Sequence, residues 1–214
     1  MSAPSLTPPT RNVAVFCASA DGAHPIYRTV AEELGTALAT RNIGLIYGGA
    51  KVGLMQAVAD ATLAAGGHVT GVIPHVLVDL EVAHHGISEL HVVDTMHTRK
   101  ALMSEKADAF LVLPGGFGTF EEMFEILAWQ TLKLHSKPTV LLNVNGFYDQ
   151  LLGFLDHAVT EGMLKSKNRA NLLVATSVEE AFLLRKLDRF RGNSETTTIV
   201  SLAAKKERNI SLQK

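Results

Sequence analysis

The stretch AFLVLPGGFGTFEE, residues 109 to 122, decides the fold. Its first five residues are apolar and too few for a helix, so they read as a buried strand. Pro114, Gly115 and Gly116 then turn the chain. From about Gly118 to Leu134 the apolar residues Phe120, Met123, Phe124 and Leu127, followed by Thr131, recur at helical spacing. A strand therefore feeds a helix through a glycine turn.

The same unit recurs outward in both directions. RNVAVFCAS, NIGLIYGG, HVTGVIP and ELHVVD read as strands before it, and TVLLNV and LLVAT as strands after it. Between them lie helical stretches: Pro25 to Thr40, VGLMQAVADATLAAGG, MHTRKALMSEKAD, FYDQLLGFLDHAVTEG and SVEEAFLLRKL. Strands covered on both faces explain why the short runs are solidly apolar. Regular β/α alternation with right-handed crossovers predicts an α/β fold, a Rossmann-like three-layer sandwich with a mainly parallel sheet flanked by helices. Ligands in such sheets lie beyond the carboxyl ends of the strands. Three segments stand there: CASADG (17–22), YGGAKVG (47–53) and PGGFGT (114–119). The long connection between Pro74 and Ser88 is a candidate wall of the site.

The 214 residues suit one domain, placed at 12–190, with an N-terminal arm at 1–11 and a C-terminal extension at 191–214. Lys plus Arg number 20 and Asp plus Glu 21, so no general field gathers nucleic acid or an anionic membrane. The single cysteine, Cys17, excludes an intrachain disulfide and a Cys-rich zinc site, and reads as a small buried residue. Without a secretory leader or a long apolar span, a cytoplasmic location is expected.

Gly115, Gly116 and Gly118 let the backbone approach a ligand while the first amides of the following helix point outward unpaired. Such amides, at the positive end of the helix dipole, collect an anion, and Thr119 adds a hydroxyl. No Lys-Ser/Thr pair follows, so this is not a P-loop, and the glycine spacing misses the dinucleotide fingerprint. Gly48 and Gly49 form a second strand-to-helix turn that either lines the same pocket or permits close packing. With the core stripe at Phe120, Met123, Phe124 and Leu127, Glu122 points away from the buried face toward open space. It stands one turn, roughly 5 to 6 Å, beyond Gly118. It addresses a distant part of a phosphorylated ligand, or merely complements the helix dipole. In MHTRKALM (96–103), Met96, Arg99 and Met103 share a face with Lys100 beside them, which suits a heterocyclic base joined to an anion.

Together PGGFGTFEE and MHTRK, with FCAS, YGGAKVGLM, TGVIP, EVAHHGISELHVV and the HSKP-to-NVNGFYD stretch, resemble the LONELY GUY family of cytokinin-activating phosphoribohydrolases, long labelled possible lysine decarboxylases. The resemblance runs from about Val13 to Ala175. It implies hydrolysis of the N-glycosidic bond of N6-substituted adenosine 5′-monophosphates, and of AMP, to free base and ribose 5-phosphate. It also implies that Arg99 and Glu122 are the catalytic pair. Glu81, Lys100 and the stretch from Gly116 to Glu122, with Phe117, Thr119 and Glu121, are implied substrate contacts, and Met96 lies beside the base. No cofactor or metal is implied, and a homodimer is. Ala18, Ala20 and Gln56 depart from the family's usual residues.

Four rival readings compare with this one. Histidines 84, 85, 91 and 97 make no HExxH and no coherent ligand set. Nothing marks a pyridoxal phosphate lysine. A nonenzymatic nucleotide or cofactor carrier, or a general AMP nucleosidase, would share the glycine loop.

Overall fold

The computed structural model of the chain describes residues 9–78 and 82–184. Among the described residues seven strands form one sheet: β1 (Arg11–Phe16), β2 (Ile43–Tyr47), β3 (Val69–Pro74), β4 (Glu89–Val93), β5 (Ala109–Val112), β6 (Thr139–Leu142) and β7 (Leu172–Ala175). Their order is β4-β3-β2-β1-β5-β6-β7 and every pairing is parallel. The helices are α1 (Ile26–Thr40), α2 (Gly53–Ala64), α3 (His75–Val78), α4 (Met96–Lys106), α5 (Phe117–Thr131), α6 (Asp149–Thr160), α7 (Ser166–Arg169) and α8 (Val178–Leu183). This is the expected three-layer α/β sandwich.

Alternation along each strand divides the interior into two cores. On one face Val13, Val15, Leu45, Leu111 and Leu142 pack against Leu34 and Leu38 of α1, Val58 of α2 and Phe182 of α8. On the other, Ala14, Phe16, Ile46, Phe110 and Val112 meet Met103 of α4, Met123 and Ile126 of α5, and Tyr148 and Leu155 near and on α6. Each fully buried side chain of the larger kind contributes about 1.5 to 3 kcal/mol. The stacked rings of Phe16 and Phe110, 5.9 Å apart, join the two central strands. Because the sheet grows in opposite directions from β1 and β5, the connections leaving these two strands part over opposite faces and open a crevice between them.

Several expectations need correction. β4 is not buried on both faces: Glu89 and Val92 are exposed, because it is an edge strand with a neighbour on one side only. The connection from Pro74 to Ser88 is not wholly irregular, since it begins with α3 and later bridges Ala50 through Ala83. Arg11, assigned to the arm, is the first residue of β1. Residues 1–8 of the arm and the extension at 191–214 lie outside the described residues. No helix among the described residues is long and apolar enough to cross a membrane.

Candidate active site

The loop after β1 and the loop after β5 are tied together at the crevice, where Ala18 N–H donates to Pro114 O at 3.1 Å. Below them the buried Tyr148 hydroxyl donates to Leu113 O at 2.7 Å. These bonds fix the entry to α5. Its N-cap, Gly116, is extended and offers no capping side chain, and the Phe120 amide closes the first helical bond onto Gly116 O at 3.0 Å. The amides of Phe117, Gly118 and Thr119 are thus the helix's first, without intrahelical acceptors. Gly115 is tight, because a Cβ there would overlap the Thr119 side chain, whereas Gly116 and Gly118 face open space. The loop therefore closes on its inner side and stays open toward a ligand.

A cavity of about 200 Å³ lies at this point, lined by Cys17, Ala18, Ser19, Met55, Arg99, Gly116, Phe117, Gly118, Thr119 and Glu122. Two charged side chains meet in it. Arg99 and Glu122 are each 7% exposed, and Arg99 Nη1 stands 3.4 Å from Glu122 Oε1. The guanidinium is held from behind: Nε donates to Val72 O at 3.0 Å and Nη1 reaches Met96 Sδ at 3.9 Å. α4 delivers it, with Thr95 as N-cap accepting from Thr98 N–H at 3.0 Å. Burial pushes the Glu122 carboxyl up to about 7, against the opposing pull of Arg99 and with a further push from Glu121. An acid titrating near neutrality can exchange protons with a substrate or a water. The Cys17 thiol, buried beside this pair, is raised by the same desolvation and stays a thiol.

Glu122 does not face open space as the helical stripe suggested. The buried face of α5 runs through Thr119, Glu122, Met123 and Ile126, while Phe124 is exposed at 40%. Phe124 instead borders a groove shared with Leu155 and Leu164. Aromatic residues made a misleading guide to the helix's inner side, because one of them serves this outer groove.

The remaining candidates divide. Lys100 and Glu121 pair with each other, and Lys100 Nζ also reaches Glu125 Oε2 at 3.0 Å, outside the cavity lining. Met96 is exposed at the outer side of Arg99. Glu81 lies outside the described residues. Gly48 is buried, and a Cβ there would overlap Arg99 Nη2, so of its two open readings close packing is the one observed. Gly49, at φ +76°, lies against Val72 and Ile73. Gly48→Ala is therefore expected to displace the guanidinium and lower kcat/KM for the chain's substrate about tenfold to a hundredfold while the protein stays folded. Kinetics beside a melting curve check this.

Residues 55–184 match the family described as possible lysine decarboxylase. Over 175 residues the chain is 49% identical to cytokinin riboside 5′-monophosphate phosphoribohydrolase of Rhodococcoides fascians, spanning 81% of this chain and 88% of that one. The chain belongs to the LONELY GUY family. A plant LONELY GUY protein, cytokinin riboside 5′-monophosphate phosphoribohydrolase LOG2 of Arabidopsis thaliana, is 45% identical over 180 residues, covering 84% of each chain. Solved structures share the LONELY GUY architecture at greater distance. The molybdenum cofactor carrier protein of Chlamydomonas reinhardtii aligns with a TM-score of 0.62 at 20% identity, over 84% of this chain and 97% of that one. The molybdenum cofactor binding protein of Rippkaea orientalis aligns at 0.61 and 22%, over 84% and 96%. These two likenesses concern the fold alone.

Sequence reasoning about this LONELY GUY chain missed Cys17, Ser19 and Met55 as cavity walls. The signal was the CASADG segment at a strand end, but only the strand order puts it opposite PGGFGT. Of the departures from the LONELY GUY pattern, Ala18 borders the cavity. Gln56 points elsewhere, donating to Asp60 Oδ2 at 3.1 Å.

Proposed function

We propose that the chain hydrolyses the N-glycosidic bond of adenosine 5′-monophosphates, N6-substituted ones by preference and AMP itself, releasing the free base and ribose 5-phosphate. The observation that carries this reading is the pairing of one buried carboxyl, Glu122, with Arg99 one turn below helix amides that have no intrahelical acceptors. Relatives named for cytokinin riboside 5′-monophosphate hydrolysis support the substrate class.

In this reading the 5′-phosphate rests on the amides of Phe117, Gly118 and Thr119, assisted by the Thr119 hydroxyl and the dipole of α5. The ribose then runs down the cavity, which brings C1′ to Glu122, roughly 5 to 6 Å along the helix from the phosphate loop. Breaking the C1′–N bond sends the bonding pair to the base and leaves an oxocarbenium-like sugar. The Glu122 carboxylate stabilises that centre, takes a proton from the attacking water and releases it to solvent, from which the departing base takes up the proton that makes it the neutral free base. Arg99 stays protonated, so it orients the nucleotide and offsets negative charge on the departing base. Met96 and Phe117, both exposed at the rim, flank the base. Lys100 and Glu121 complete the outer part of the site, and Glu81 is a further substrate contact.

The cavity of about 200 Å³ is smaller than the roughly 300 Å³ at which ligand pockets begin. We read the active form as a homodimer in which neighbouring helices of a second copy cover the apolar rim at Met96 and Phe117. Sedimentation at twice the chain mass is the expected result, and a stable monomer with full activity would refute it. The unit that works is a single domain that begins with Arg11 at the start of β1 and runs to 190, with residues 1–10 as an arm and 191–214 as an extension, operating in the cytoplasm without cofactor, metal or nucleic acid.

Incubation of the purified protein with AMP and with isopentenyladenosine monophosphate tests the reading. Free base and ribose 5-phosphate should accumulate together. Tight binding with the nucleotide left intact would make the protein a carrier, and equal turnover of both substrates would make it a general AMP nucleosidase.

A further inference from the structure

The position of Arg99 depends on Gly48, whose bare backbone forms the stop against which Nη2 rests. What holds that stop lies on the far side of the turn. Gly49 O accepts from His84 N–H at 2.8 Å, Lys51 N–H donates to Val82 O at 2.7 Å, and Ala50 forms an antiparallel bridge with Ala83. Residues 82–84 thus lie as a splint along 49–51.

The splint is fastened by one side chain. His84 is 4% exposed, and its Nε2 is 2.8 Å from Asp60 Oδ1 on α2. Its Nδ1 accepts from Gly86 N–H at 3.2 Å, so the ring hydrogen sits on Nε2 and is donated to Asp60. Asp60 is itself oriented through its other oxygen by Gln56. Both ring nitrogens are therefore engaged, and the imidazole does not line the cavity. It has the place of a strut and not of a catalyst.

We propose that His84, braced by Asp60, is a positioning residue for Arg99: it locks the 82–84 splint onto the Gly48–Gly49 turn and thereby fixes the guanidinium opposite Glu122. The kinetic consequence rests on the hydrolytic function proposed above. Because the phosphate loop belongs to the other side of the crevice, loosening the strut disturbs the chemical step more than nucleotide capture.

The test uses the full chain carrying His84→Ala, Asp60→Ala, Asp60→Asn and the double alanine variant. Both single alanine variants should lose about tenfold or more in kcat on AMP, with KM within about threefold. The double variant should lose no more than the worse single one, since the two act as a unit. Asp60→Asn keeps an oxygen for the imidazole while Gln56 can turn its amide, so it should retain kcat within about twofold. Should His84→Ala fail to fold, Asp60→Ala decides, because that side chain is 46% exposed and its removal leaves no sealed void.

A second readout does not need catalysis. Hydrogen exchange at the Arg99 Nε–H, which is bonded to Val72 O and identifiable by its loss in Arg99→Lys, should quicken about tenfold in both alanine variants. Unchanged exchange or kcat within twofold of wild type in the alanine variants, or losses that multiply in the double variant, would each overturn the proposal. A folded wild-type protein that leaves every nucleotide intact would instead overturn the functional reading, and the exchange rates would still decide the positioning role.

Discussion

Glu122→Gln is expected to lower kcat for AMP hydrolysis by at least about a thousandfold while nucleotide affinity changes less than about threefold. The amide matches the carboxyl in shape but carries no charge to stabilise the oxocarbenium-like sugar and takes no proton from water. Affinity is spared because the phosphate is held one helical turn away. Since the ionised form does the work, wild-type kcat/KM should rise with pH through an inflection near 7, where burial has placed the Glu122 carboxyl. That inflection should vanish in the variant.

The same shift has a consequence for stability, with a definite sign. In the unfolded chain the carboxyl titrates at its ordinary 4.5, and in the folded protein at about 7. The folded state therefore holds the proton more tightly. Its advantage is complete below the ordinary value and is lost as pH rises through the folded value. At pH 8 the ionised group, 7% exposed, costs on the order of 3 kcal/mol, which the glutamine avoids. Glu122→Gln should thus melt higher than wild type at pH 8 and alike at pH 4. A variant that gains stability while losing activity marks a group held in place for chemistry.

Removing the 5′-phosphate from the substrate is the second large effect. Each charge-assisted hydrogen bond from the amides of Phe117, Gly118 and Thr119 is worth roughly 1.5 to 3 kcal/mol, so losing two or three of them should depress kcat/KM for adenosine by about 10² or more. Part of the loss should appear in kcat, because the phosphate also sets where C1′ stands relative to Glu122. Competitive kinetics with AMP and adenosine measure it. Turnover of the nucleoside within tenfold of the monophosphate would remove the role assigned to the glycine loop.

The layered fold was legible because its determinants are local. Apolar runs such as AFLVL and the helical spacing of Phe120, Met123 and Leu127 encode element type, and short glycine turns encode parallel connection. Two of the strand-end segments, CASADG and PGGFGT, line one cavity. What stayed hidden depends on packing between distant parts of the chain. Nothing near Gly48 announces that its missing side chain makes room for Arg99, 51 positions on. The inward face of α5 was misjudged because Phe124 serves an outer groove while the charged Glu122 is buried. β4 was judged fully covered because its composition does not tell that no strand follows it at the edge. The strut from Asp60 through His84 crosses 24 residues and shows no periodicity at all.

The central claim is spatial: helix amides hold the phosphate, and Glu122 thereby meets the anomeric carbon. A crystal structure of the Glu122→Gln protein soaked with AMP measures this directly. The account predicts phosphate oxygens within about 3 Å of the amides of Phe117, Gly118 and Thr119, with C1′ within about 4 Å of the substituted side chain. A nucleotide bound the other way round, its phosphate outside the loop and its C1′ far from position 122, would contradict it.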